Sequence, residues 1–258
     1  ELSWEDQVSK GRAVASDEET GAGSVPTVDA DSKKFNGHPV VRFDGAGDRV
    51  RLPPLDARFD DGFTAALALR AVVAHQWDGF LFLAETGHTN AIAVGRELSW
   101  DRLRLTVQGT YDPIAYWSGI VQSSGGIATG SISSQIVVVV QRPEDASVWF
   151  FENGKIAATT WGDASLPAAA LRDASFLGWV PDASFEGDLA EVVVYDRALD
   201  DGERWRPLRR SCELGHTSAR SSSDSWTVVV IVPLRMPVSH TSRTSAVSIW
   251  LTDARMSR

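Results

Sequence analysis

The chain has 258 residues, 43% apolar and 23% charged, which is room for one large all-β domain or a medium domain with an appendage. Its formal net charge of −9 argues against a nucleic-acid partner, because such proteins lead with a basic patch; calcium, neutral sugars and protein partners stay open. The single cysteine, Cys212, excludes an intramolecular disulfide, and no apolar run approaches the roughly 18 residues of a membrane span. The sequence starts at Glu1 rather than Met, which reads as a processed chain or a piece of a longer one.

From Val40 to Tyr195 almost every apolar run has period 2, the period of a strand with one face buried. The predicted strands run, in order, VVRF (40–43), RVRL (49–52), FTAALALRAVV (63–73), FLFLAE (80–85) and AIAV (91–94). RLRLTVQ (102–108), QIVVVVQ (135–141), SVWFF (147–151), KIAATT (155–160) and DLAEVVVYD (188–196) follow. In the third of these, Phe63, Ala65, Leu67 and Leu69 share one face. Gly, Asp, Asn and Pro punctuate the runs, as tight turns require. Asn153-Gly154 supplies the two positive-φ positions of a type I′ hairpin turn. Many short strands without long helices between them predict a two-sheet antiparallel sandwich, with at most a helical turn or two near 199–205.

Four landmarks in this order carry a family resemblance. LSWEDQVSKGR (2–12), FNGHPVVRFDGAGDRVRL (35–52), VWFFENGKIA (148–157) and FLGWVPDASFEGDLAEVVVYDRALDDGE (176–203) together resemble the bacterial laminin G-like, concanavalin A-like jelly-roll domains. The resemblance covers roughly residues 2–205 and implies an all-β, antiparallel two-sheet jelly roll. It further implies a carbohydrate- or protein-binding module of an exported or surface protein, often calcium-bound and without catalytic activity of its own. A spacer domain without ligand is the bland form of the same reading.

The closing segment also contains Glu186, Asp188 and Glu191, spaced E-x-D-x-x-E like the catalytic acids of one large group of glucanases. In a regular strand Glu186 and Asp188 share a face and Glu191 falls on the other unless a bulge intervenes. Retaining glycoside hydrolysis needs its two carboxyls about 5–5.5 Å apart. Leu189, Val192 and Val194 read as core positions, so the stretch is expected to be a closing strand, with Glu186 and Asp188 exposed. A glucanase using the three acids is the alternative.

The five histidines show no zinc spacing, and no G-x-S-x-G elbow occurs. DGAGD puts Asp44 and Asp48 on a glycine-rich turn that suits calcium, with Glu191 as the ligand the resemblance suggests; the alternative is a turn holding its own backbone. Sugar-binding surfaces use exposed rings, and Trp77, Tyr111, Tyr116, Trp117 and Trp161 lie in turn-rich stretches beside Asp78, Asp112 and Asp163. These aromatics are the expected ligand contacts, and SSGGIATGSISS (123–134) is expected to be a loop.

From about Arg206 the composition shifts to Arg and Ser. Seven arginines against Glu213, Asp224 and Asp253 give a net +4 from residue 209 onward, so the first 208 residues carry −13. Residues 206–258 read as a poorly ordered tail, with TVVVIV (227–232) and AVSIWL (246–251) as candidate extra strands.

Overall fold

The structure is a computed structural model that describes residues 3–6, 12–15, 25–55, 58–72, 77–97, 102–108, 120–126, 134–161, 171–181, 183–203, 230–233 and 246–250. Strands β1 (Ser3–Asp6), β2 (Arg12–Ala15), β3 (Thr27–Ser32), β4 (His38–Asp44), β5 (Val50–Arg51) and β6 (Phe63–Ala71) come first. Next are β7 (Trp77–Leu83), β8 (Ala91–Glu97), β9 (Arg102–Gln108), β10 (Ile120–Gly126), β11 (Gln135–Arg142), β12 (Ser147–Glu152) and β13 (Lys155–Trp161). The short β14 (Phe176–Leu177), β15 (Trp179–Val180) and β16 (Ala183–Ser184) lead into the long β17 (Glu186–Tyr195). β18 (Val230–Pro233) and β19 (Ala246–Trp250) are the candidate tail strands, and the rest of 204–258 lies outside the described residues.

Two antiparallel sheets result. One runs β1-β2-β5-β14-β7-β8-β9-β10. The other runs β3-β4-β17-β6-β11-β12-β13. β18 adds in parallel to β17, and β19 pairs with both β17 and β1, which joins the sheets at that edge. No α-helix occurs among the described residues.

Alternation explains the packing. Phe63, Ala65, Leu67 and Leu69 of β6 enter the inter-sheet core with Phe43, Phe80, Phe185, Leu103, Leu105, Val192 and Val194. QIVVVVQ has no polar alternation because β11 is buried on both faces: Val137 and Val139 face that core, while Val138 and Val140 cluster with Ala66, Phe151 and Val193. Trp149 stacks on Phe151 in this second cluster, at 6.3 Å and 13°, with the Arg142 guanidinium 5.1 Å over its ring. The β12–β13 hairpin turns at Asn153 (φ 48) and Gly154 (φ 84), as the sequence predicts. Asn153 Oδ1 also accepts the Ile136 N–H at 2.9 Å, tying the tip to β11.

Tyr195 closes the second cluster, and burial pushes its hydroxyl up to about 12, with Glu191 and Glu203 acting in the same direction. An unfolded tyrosine ionises near 10, so between about 10 and 12 the unfolded chain releases a proton that the fold retains. This contribution is whole below about pH 10 and is lost as the pH rises through 12. Unfolding free energy should fall by roughly 2–3 kcal/mol more across that window than in Tyr195→Phe, measured by urea titration at each pH. Equal slopes for the two proteins would refute the assignment.

Candidate functional site

The acidic strand departs from the sequence expectation in two ways. The β17–β6 register shifts between Leu189 and Glu191, so Asp188 lies opposite Arg70 and Glu191 opposite Ala68. A bulge at Ala190 therefore returns Glu191 to the face of Glu186 and Asp188, the face of Ala66 and Val193. Asp188 is also fully buried rather than exposed. Its Oδ1 accepts Arg42 Nε at 2.7 Å, and its Oδ2 accepts Arg70 Nε at 2.8 Å and Nη2 at 2.5 Å. Arg42 continues to Asp29 at 3.2 Å, and its guanidinium is held more firmly protonated, first by the Asp188 hydrogen bond. The sequence treated Asp188 as a solvated strand entry because its two arginines lie 146 and 118 residues away. Glu186 is half-buried, and Glu191 is buried on the strand beyond the bulge.

The DGAGD turn uses its acids on itself. Asp48 Oδ2 accepts the Asp44 N–H at 2.9 Å, and Asp44 Oδ1 accepts the Ala46 N–H at 2.8 Å. In the β17–β4 register Asp44 faces Glu186, not Glu191. Among the described residues no three His, Cys, Asp or Glu side chains gather as a group that could hold a metal ion.

The five aromatics fare unevenly. Tyr111, Tyr116 and Trp117 lie outside the described residues. The backbones of Trp77 and Trp161 fall in β7 and β13 rather than in turns. β7 starts three residues before its apolar run because Asp78 and Gly79 pair with Arg96 and Gly95 of β8. Residues 120–126 likewise form β10, so the Ser-Gly stretch is strand at its start.

A cleft of about 240 Å³ opens where β7, β8 and β9 meet the β15–β16 hairpin. Ala93, Val94, Val180, Pro181 and Ala183 supply apolar walls, and Asp78, Arg96, Arg104 and Thr106 supply polar groups. On β9, Leu103, Leu105 and Val107 enter the core, which turns Arg104 and Thr106 to the other face. Arg104 Nε donates to Thr106 Oγ1 at 2.9 Å. Arg96 forks onto Asp78 Oδ2, with Nε at 2.9 Å and Nη2 closing the pair. The paired glycines Gly79 and Gly95 leave the floor without side chains: a Cβ on Gly79 would stand 2.6 Å from Val180 N, and one on Gly95 2.3 Å from Asp78 O.

The flap over this floor is anchored at Trp179. Its ring meets Phe82 at 6.0 Å, Phe176 at 5.3 Å and His88 at 5.7 Å, and Arg49 lies 5.2 Å over it. Edge-to-face contacts of this kind fix ring positions, so the cleft is held in shape before any ligand arrives.

A known structure shares this fold. Domain 4 of AbnA, a GH43 extracellular arabinanase from Geobacillus stearothermophilus solved with arabinotriose, is 19% identical, with a TM-score of 0.51 over 76% of this chain and 86% of that one. The protein is a jelly-roll sandwich. A pentraxin from Limulus polyphemus matches at 17% identity and TM-score 0.46, over 62% of this chain and 76% of its own. The CBM40 of a Ruminococcus gnavus IT-sialidase matches at 13% and 0.44, over 63% and 94%. No family model matches the chain, and no curated protein does.

Sequence reasoning named Asp78 beside Trp77 but missed Arg96, Arg104 and the flap. The signal for Arg104 was present in RLRLTVQ, whose leucines define one face and leave Arg102, Arg104 and Thr106 for the other. No local signal pairs Asp78 with Arg96 or brings residues 179–184 over β8, because those contacts depend on the sheet.

Proposed function

We propose that the chain is a non-catalytic binding module of an exported or surface protein and takes carbohydrate in the cleft beneath the β15–β16 flap. The observation that carries this reading is the lining: small apolar walls for sugar C–H groups beside guanidinium, carboxylate and hydroxyl groups for sugar hydroxyls. The volume, about 240 Å³, is below the roughly 300–1,000 Å³ of drug-sized pockets, which suits one sugar ring at a chain end. The arabinanase domain solved with arabinotriose shares the fold, which accords with this reading. Trp77, Tyr111, Tyr116, Trp117 and Trp161 are proposed as further contacts.

A glycan array on the whole chain tests this, with Ala183→Trp to fill the cleft. Binding should drop at least tenfold in that variant while the melting temperature stays near the parent's. Loss confined to Trp117→Ala or Trp161→Ala would move the ligand to the loops. No binding to any glycan would favour a protein partner or a spacer.

The bulge at Ala190 favours a second reading, the glucanase, by bringing Glu186, Asp188 and Glu191 to one face. Against it, Asp188 is closed off by two arginines. Reducing-sugar release from β-glucans that disappears in Glu186→Gln would establish hydrolysis.

A further inference from the structure

We infer that the cleft reads glycan chain ends and that Gly79 sets this selectivity, an inference that rests on the carbohydrate reading above. The flap is fixed at its base. Gly178 N–H donates to Phe80 O at 3.1 Å and Gly178 O accepts from Phe185 N–H at 2.9 Å, so both ends of the 179–184 hairpin are tied to β7 through Gly178. Phe80 is the bulged residue of β7, between Gly79 and Leu81 in the β7–β8 register. Past this anchor the β15 backbone lies directly on Gly79. A Cβ added there would stand 2.6 Å from Val180 N, 2.7 Å from Val180 Cγ1 and 2.9 Å from the Trp179 carbonyl carbon. Two of the three are backbone atoms of the flap, so a methyl group at residue 79 can be housed only by raising the hairpin.

This seating shapes the opening. Flap and floor are in van der Waals contact at Gly79, so no sugar chain passes between them there and the cleft is blind on its β7 side. Val180, Pro181 and Ala183 roof the space over residues 93–95 of β8, and about 240 Å³ lies between them. A glycan with units on both sides of the bound ring needs an exit at each end of the site. A blind cleft of one-ring size offers one exit, so the bound ring is the last of its chain. Glycine at 79 keeps the roof close to the floor. Raising the roof removes dispersion contact with one face of the ring and opens the closed side.

The test is calorimetry of the whole chain against linear arabino-, xylo-, gluco-, galacto- and manno-oligosaccharides of increasing length. The expected result is one protein per sugar chain, with an affinity that stays within about twofold as the chain lengthens, because each chain has one such end. Gly79→Ala should bind the shortest ligand about tenfold more weakly and place several proteins on each long chain. A variant that is merely destabilised keeps the parent's flat profile of affinity against length. If Gly79→Ala fails to fold, Trp179→Ala frees the same flap and should give the same change. Trp179→Phe keeps a ring among Phe82, Phe176 and His88 and should retain the parent's profile. Affinity that rises with length in the parent, with several proteins per chain, overturns this inference and leaves the carbohydrate reading standing. An unchanged flat profile in folded Gly79→Ala or Trp179→Ala also overturns it, since the selectivity then lies outside the flap. Binding to none of these series, nor to any glycan on the array, defeats both.

Discussion

Gly178→Ala should destabilise the fold by about 4 kcal/mol, the sum of overpacking a core and straining a left-handed residue. Gly178 joins β14 to β15 at φ +76, and a Cβ there would stand 2.1 Å from Phe43 Cε1 and 2.2 Å from Cδ1. Phe43 cannot step aside. It is buried against Phe185 at 5.8 Å, and Phe185 in turn packs on Phe80 at 5.2 Å. The backbone is equally fixed, since Gly178 N–H donates to Phe80 O at 3.1 Å and its carbonyl accepts from Phe185 N–H at 2.9 Å. Urea denaturation of the purified variant measures the loss. A midpoint equal to the parent's would mean that this turn does not lie against Phe43, and the flap's position over the cleft would fall with it.

Asp188→Asn should cost about 3 kcal/mol, because removing one partner of a buried ion pair leaves its cation without compensation. The figure is at the low end of that range because Arg42 is half solvated, with 47% of its side chain exposed, whereas Arg70 is only 11% exposed. Glu186→Gln, on the same strand face but half-buried, should cost less than Asp188→Asn. Denaturation of the two variants side by side separates the roles of the acids. If Asp188→Asn keeps the parent's stability yet destroys hydrolysis of a glucan, the carboxylate is catalytic and the ion-pair account is wrong.

The two variants mark the limit of what was legible in the chain. Period-2 alternation located β4, β6, β9, β12, β13 and most of β17, because a strand half-buried in a sandwich must alternate wherever its faces differ. The Asn153-Gly154 turn was equally readable, since few residue pairs accept two positive φ values in succession. With these came the all-β class and the antiparallel sandwich.

Tertiary structure alone decided the rest. Whether Glu191 faces Asp188 turned on one bulged residue, Ala190, and a one-residue slip inverts every side chain beyond it. Whether Asp188 is solvated turned on Arg42 and Arg70, which only the pairing of β17 with β4 and β6 brings to it. The cleft exists because a four-residue-wide flap from β15 and β16 crosses a glycine pair on β7 and β8, segments about a hundred residues apart in the chain. Local pattern reports which face of a strand is apolar, since burial acts on each residue in turn. It carries no record of which distant strand lies alongside, and that is where the charges, the bulge and the cleft were settled.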